Sequence, residues 1–202
     1  GRLPDHYVQA VGSGTGGIAA WEAATRLAEA GVQGGPMRLH LAQNVPFTPM
    51  VDAFRRGLAD VEPMAEDEIR HRLSQTIAGV LSNALPPYAP RGGVRDALLE
   101  TGGRVYAVTN DEALRAGERL GRHEDLDPCP EAMVALAALE QAAAGGAVGA
   151  EDHVLVHLTG AGWARSVREL EKSPYPVGLS LGPEELDRGV AAIAEYLDSV
   201  GA

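Results

Sequence analysis

The 202-residue sequence has a single cysteine, Cys129, and a single lysine, Lys172. One thiol excludes an intrachain disulfide and a zinc site built from CxxC pairs, and it fits a reducing cytoplasm. No window reaches the roughly 20 consecutive apolar residues that a membrane-spanning helix requires. The opening residues, GRLPDHY, lack the basic stretch and apolar run of a secretory signal. A start at Gly1 rather than Met points to processing or to a cut. Positive charge is scarce. The formal net charge of −11 argues against a nucleic-acid partner, which needs clustered Lys and Arg. The acidic excess reads as a solvated surface. The six histidines, His6, His40, His71, His123, His153 and His157, show no HExxH spacing, and no metal site is indicated. His40 and His157 lie in apolar, strand-like runs, where they are expected to be hydrogen-bonded core histidines.

What is present is an alternation of strand-like and helix-like segments. The runs HYVQAV (6–11), MRLHLA (37–42), RVYAVT (104–109) and HVLVHL (153–158) read as strands. Helices are expected from the glycine loop after 11 to about Gly31, over 46–58, over 65–85, and in VRDALLETGG, whose terminal glycines suit a C-cap. Residues 110–121 should form another, capped by Thr109 or Asn110. The alanine-rich stretch 128–146 suits a deeply packed helix, and 183–200 an amphipathic one. Strands separated by helices imply an α/β fold, with a mostly parallel sheet and helices on both faces. No repeat or interdomain linker is visible.

The segment VQAVGSGTGGIAAWEAA places Gly12, Ser13, Gly14, Thr15, Gly16 and Gly17 between the first strand and a helix. Such a loop suits a phosphate: glycines allow close backbone approach, successive N–H groups converge, and the helix N-terminus adds a positive dipole end. The pattern matches G-x-G-x-x-G, but the next strand ends at Leu41-Ala42-Gln43-Asn44, without the acid that would hold a dinucleotide ribose. No lysine follows the glycines, which excludes a Walker loop. A ligand-free strand-to-helix turn is the plain alternative.

GSGTGG resembles the phosphate loop of fold-type II pyridoxal-phosphate (PLP) enzymes, the group of threonine synthase, cysteine synthase and tryptophan synthase β. VLVHLTGAG resembles the strand end that, in the threonine synthase branch, sets a threonine hydroxyl against the cofactor's pyridine nitrogen. The resemblance implies that Ser13, Gly14, Thr15, Gly16 and Gly17 hold the cofactor phosphate, and that Thr159 is the pyridine partner, with Gly160 and Gly162 keeping the wall close. Taken alone, Thr159 could equally be a helix cap or turn residue. The segments GRLPDHYVQAVGSGTGGIAAWEA, LHLAQNVPFTPMVDAF, LSNALPPYAPRGGVRDALLETGG and VYAVTNDEA further resemble the cysteate synthases, relatives of threonine synthase.

That resemblance implies PLP as cofactor and a β-replacement, in which O-phospho-L-serine and sulfite give L-cysteate and phosphate. It also implies small-molecule partners and a homo-oligomer at full length. A threonine synthase-like lyase acting on O-phosphohomoserine, or a non-catalytic PLP-fold module, are the alternatives. The family's Schiff-base lysine precedes the glycine loop, whereas Lys172 follows Thr159 in a charged segment and reads as a surface residue. No catalytic residue is therefore assigned within this chain. Residues 1–202 are read as the C-terminal part of the PLP-binding large domain, without the N-terminal part and small domain. Alone, such a piece should expose a sheet edge and an apolar face. Arg91, Arg95 and Arg104 are conceivable anion contacts but read more simply as solvated or ion-paired.

Overall fold

The computed structural model describes residues 1–160 and 188–200, together with Gly162 and Leu179. The chain divides into two compact units, Gly1–Trp163 and Ala164–Ala202. In the first unit, four strands form one parallel sheet in the order β3-β2-β1-β4. They are β1 (His6–Ala10), β2 (Arg38–Asn44), β3 (Arg104–Val108) and β4 (Val154–Val156). The helices between them are α1 (Thr15–Glu29), α2 (Pro49–Arg55), α3 (Glu66–Leu73), α4 (Val94–Glu100), α5 (Asn110–Glu124) and α6 (Pro130–Ala144). In the second unit, α7 (Gly189–Val200) is described.

Alternation along the strands sorts the core into two layers. Val8, Ala10, Ala42, Tyr106 and Val108 pack on the face covered by α5 and α6, where Val134, Ala135 and Ala138 are buried. Tyr7, Val11, Leu39 and Leu41 face the other way, against Met50, Val94, Ala97 and Leu98. Small alanine side chains let α6 lie close to β1 and β2, so the expectation of a deep helix holds. β1 is buried along its whole length, because it has a strand on each side and helices on both faces.

The sequence-based boundaries shift in two places. The expected helix over 65–85 ends at Leu73. Beyond it, the N–H groups of Ile77 and Ala78 turn away to the Asn44 side-chain oxygen, 3.1 Å from each. Backbone donors used by a distant side chain cannot continue a helical ladder. The last strand is also shorter and more open than an interior strand. Among the described residues β4 pairs with β1 alone, and Leu155 is 51% exposed. α5 starts as expected, with a capping box: Glu112 N–H donates to Thr109 Oγ1, and Thr109 N–H to the Glu112 carboxylate.

At the N-terminal end of the strands, on the α6 face, a row of polar side chains crosses the sheet. Asp152 Oδ2 lies 3.1 Å from His6 Nε2, His6 Nδ1 lies 2.9 Å from His40 Nε2, and His40 Nδ1 lies 2.8 Å from the Tyr106 hydroxyl. Both imidazoles are buried. His40 is thus the hydrogen-bonded core histidine that its strand context implies.

Candidate functional site

β1 runs through Val11, whose N–H donates to the Ala42 carbonyl, into the glycine loop. Gly14 stands at the N-cap of α1 with φ 79°, a left-handed conformation, and no side chain caps the helix. A Cβ on Gly14 would lie 2.5 Å from Val94 Cγ2, and one on Gly16 would lie 2.6 Å from both amide atoms of Gln9. A side chain at Gly14 would clash with Val94 and hold a strained φ, and one at Gly16 would have to displace the Gln9 amide. The first intrahelical bond is Ile18 N–H to the Gly14 carbonyl. The N–H groups of the turn before it have no acceptor within the helix. Ser13 Oγ and Thr15 Oγ1 lie 2.9 Å apart and exposed beside these donors.

The end of β4 reaches the same level. The His157 N–H donates to the Val8 carbonyl, extending the ladder one residue past the Val8–Val156 pair. Thr159, exposed, follows at the C-terminal end of β4, alongside the end of β1 that leads into Gly12. Gly160 and Gly162 rest on the segment before α6. Cys129 N–H donates to the Gly160 carbonyl at 3.3 Å, and Gly162 N–H to the Asp127 carbonyl. A Cβ on Gly160 would lie 3.0 Å from Cys129 Sγ. Burial raises the Cys129 thiol pKa, so the sulfur packs here as a protonated thiol. The structure thus brings Ser13, Gly14, Thr15, Gly16, Gly17 and Thr159 to the C-terminal ends of adjacent parallel strands. That is the position at which open α/β sheets bind ligands.

Three supporting side chains were not singled out in the sequence. Tyr7 donates its hydroxyl to Gln9 Oε1 at 3.1 Å, and its oxygen lies 2.6 Å from His157 Nδ1. Gln43 Oε1 accepts the N–H groups of Met50 and Val51 at 2.9 and 3.2 Å. Its Nε2 is buried with no protein partner. Asn44 accepts from Ile77 and Ala78, and donates to the Val108 carbonyl and Asn110 Oδ1. None of these residues carries a spacing signal, since their partners are set by register rather than by local sequence. His157 differs from expectation. It is hydrogen-bonded but exposed, because β4 has no further strand beside it among the described residues.

Of the three arginines, Arg104 opens β3 at the opposite end of the sheet. Arg91 and Arg95 flank Val94, the residue packed against Gly14. Lys172 lies outside the described residues. No group of three or more His, Cys, Asp or Glu suited to a metal occurs among the described residues, and none of their helices is long and apolar enough to cross a membrane.

These residues fit a phosphate monoester. The cradle crowds any side chain at Gly14 and Gly16, and the first α1 turn, where Thr15 N–H donates to Ser13 Oγ at 3.4 Å, presents donors at a positive dipole end. A family model described as "Pyridoxal-phosphate dependent enzyme" matches residues 1–160. The chain is 48% identical over 179 residues to a protein named cysteate synthase from Methanoculleus marisnigri, covering 88% of this chain and 41% of that protein. It is 45% identical over 197 residues to one from Methanoregula boonei, covering 96% and 46%, and 46% identical over 186 residues to one from Methanocella paludicola, covering 91% and 43%. The chain thus spans less than half the length of these relatives.

Proposed function

The chain belongs to the pyridoxal-phosphate dependent enzyme family, and from that premise we propose that it forms the cofactor-phosphate side of a β-replacing enzyme. The reaction is that of O-phospho-L-serine with sulfite, giving L-cysteate and phosphate. The observation that carries this reading is identity of 42–48% to cysteate synthases over most of the chain, with the glycine cradle and Thr159 converging at one end of the sheet.

In this reading, the N–H groups of Gly14, Gly16 and Gly17, with the Ser13 and Thr15 hydroxyls, hold the cofactor phosphate. Thr159 faces the pyridine nitrogen with a neutral hydroxyl, which leaves that nitrogen largely unprotonated. When bound, PLP supplies the electron sink for loss of the substrate's α-proton. Overall, the Cβ–O bond to phosphate breaks, a C–S bond to sulfite forms, and the α-proton is removed and then returned. The Schiff-base lysine that moves it belongs, in this proposal, to the part of the relatives that the chain does not span, since Lys172 is the sequence's only lysine.

The test uses the polypeptide extended to the length of its relatives. Phosphate release from O-phospho-L-serine should depend on sulfite and yield L-cysteate. Release from O-phosphohomoserine with water alone would instead make the protein a threonine synthase-like lyase. Failure to bind PLP would overturn the proposal altogether.

A further inference from the structure

The Tyr7 hydroxyl joins two places that the reading above assigns to opposite ends of the cofactor. It is buried between β1 and β4, and its hydrogen-bond directions are fixed by its partners. Gln9 Oε1 can only accept, so the phenol O–H donates there at 3.1 Å. The phenol oxygen therefore accepts from His157 Nδ1 at 2.6 Å, which requires that nitrogen to carry the proton. The Gln9 amide at the far end of this chain occupies the space where a side chain on Gly16 would begin. His157, at the near end, directly follows β4 and stands two residues before Thr159. Its main-chain N–H is also bound to Val8. Linked donors and acceptors of this kind polarise and stiffen one another when buried.

We propose that His157, Tyr7 and Gln9 form a brace that sets the separation between the phosphate loop at Gly16 and the strand end carrying Thr159. Tyr7 is its central positioning residue. The inference rests on the reading that the loop holds the cofactor phosphate and that Thr159 faces its ring nitrogen. The brace acts through geometry alone: it touches neither the substrate nor the reacting atoms. Its role is to keep the two cofactor contacts at a fixed span, so that both can be made at once.

The test compares variants of the polypeptide extended to the length of its relatives, loaded with PLP labelled with 15N in the ring. Tyr7→Phe and His157→Gln should each weaken PLP binding about tenfold and shift the ring 15N resonance. The double variant should be no worse than either single one, because both break the same chain. His157→Asn, whose amide nitrogen can stand in for Nδ1, should restore both signals. His157 is exposed, so its variants keep the apoprotein melting temperature and separate positioning from folding. Unchanged affinity and 15N shift in Tyr7→Phe and His157→Gln would overturn the brace, as would additive losses. If Thr159→Val moves the 15N resonance while the brace variants do not, the cofactor reading stands and the brace fails. If the parent protein binds no PLP, both fail.

Discussion

His6 and His40 share one proton between their facing nitrogens, 2.9 Å apart under α6. The rest of the row fixes its direction. Ionised Asp152 accepts from His6 Nε2–H, His6 Nδ1 then accepts from His40 Nε2–H, and His40 Nδ1 accepts from the Tyr106 hydroxyl. Each ring nitrogen of the two imidazoles has a partner in the row. A second proton on His40 Nδ1 would require the Tyr106 hydroxyl to turn from donor to acceptor.

Acid should therefore loosen the protein well above the usual carboxylate range. Burial lowers the His40 pKa to about 4, aided by the charges of His6, Arg104 and Arg38. The unfolded chain binds this proton near pH 6.5 and the folded chain only near 4, so stability is complete above about 6.5 and falls as pH drops toward 4. The loss is on the order of 3 kcal/mol over that window. Asp152, held below the usual carboxylate range by the Gly149 N–H and His6, adds a further loss at lower pH in the same direction. Urea midpoints measured from pH 7.5 to 4 should show this fall, and a His40→Gln variant should show a flatter profile.

Gly14→Ala should damage folding and phosphate binding together. The left-handed φ disfavours any Cβ by about 1–2 kcal/mol, and displacing Val94 adds about 1–3 kcal/mol. Thermal melts should record a loss of roughly 2–5 kcal/mol on those two grounds. In the polypeptide extended to the length of its relatives, PLP affinity should fall by at least tenfold. A variant with unchanged melting would show that the loop does not hold the observed conformation.

Asn44→Ala removes a buried side chain that serves four partners at once; it leaves the Ala78 donor without that acceptor and Ile77 with the Asn110 Oδ1 at 3.3 Å. The expected loss is about 2–4 kcal/mol. Hydrogen exchange offers a sharper check. The Ala78 amide should lose most protection in the variant and Ile77 less, while amides in the middle of β1 keep theirs under conditions where the protein stays folded.

Thr109→Ala should cost about 1 kcal/mol through loss of the α5 capping box. Thr109→Ser should retain most of it. Equal losses in the two variants would mean that the methyl group, not the hydroxyl, matters at this position.

The sequence made the tight glycine loop, the parallel α/β order and the buried α6 legible, for a shared reason. Gly14 and Gly16 record a steric requirement in residue type, and the alanines of α6 record a close approach to the sheet. The α5 cap was readable because a capping box is local. The irregular stretch after Leu73 was not, because its cause is Asn44, more than thirty positions away. The brace was equally hidden, since Tyr7 and His157 are 150 residues apart and only the register of β4 against β1 makes them neighbours. His157 read as a core residue because an apolar run looks the same in an edge strand as in a central one.

The strand order has a consequence in time as well as in space. β1 is made well before β4, yet it lies between β2 and β4, and its pairing with β4 joins Val8 to Val156. At roughly 5–20 residues per second on the ribosome, β1 waits on the order of ten seconds or more for β4. Throughout that interval the edge of β1 that pairs with β4 lacks this neighbour, and its backbone N–H and C=O groups are open to chaperones or to another nascent chain. Codon changes that slow translation between α5 and β4 should therefore lower the soluble yield more than equal delays placed after Val156.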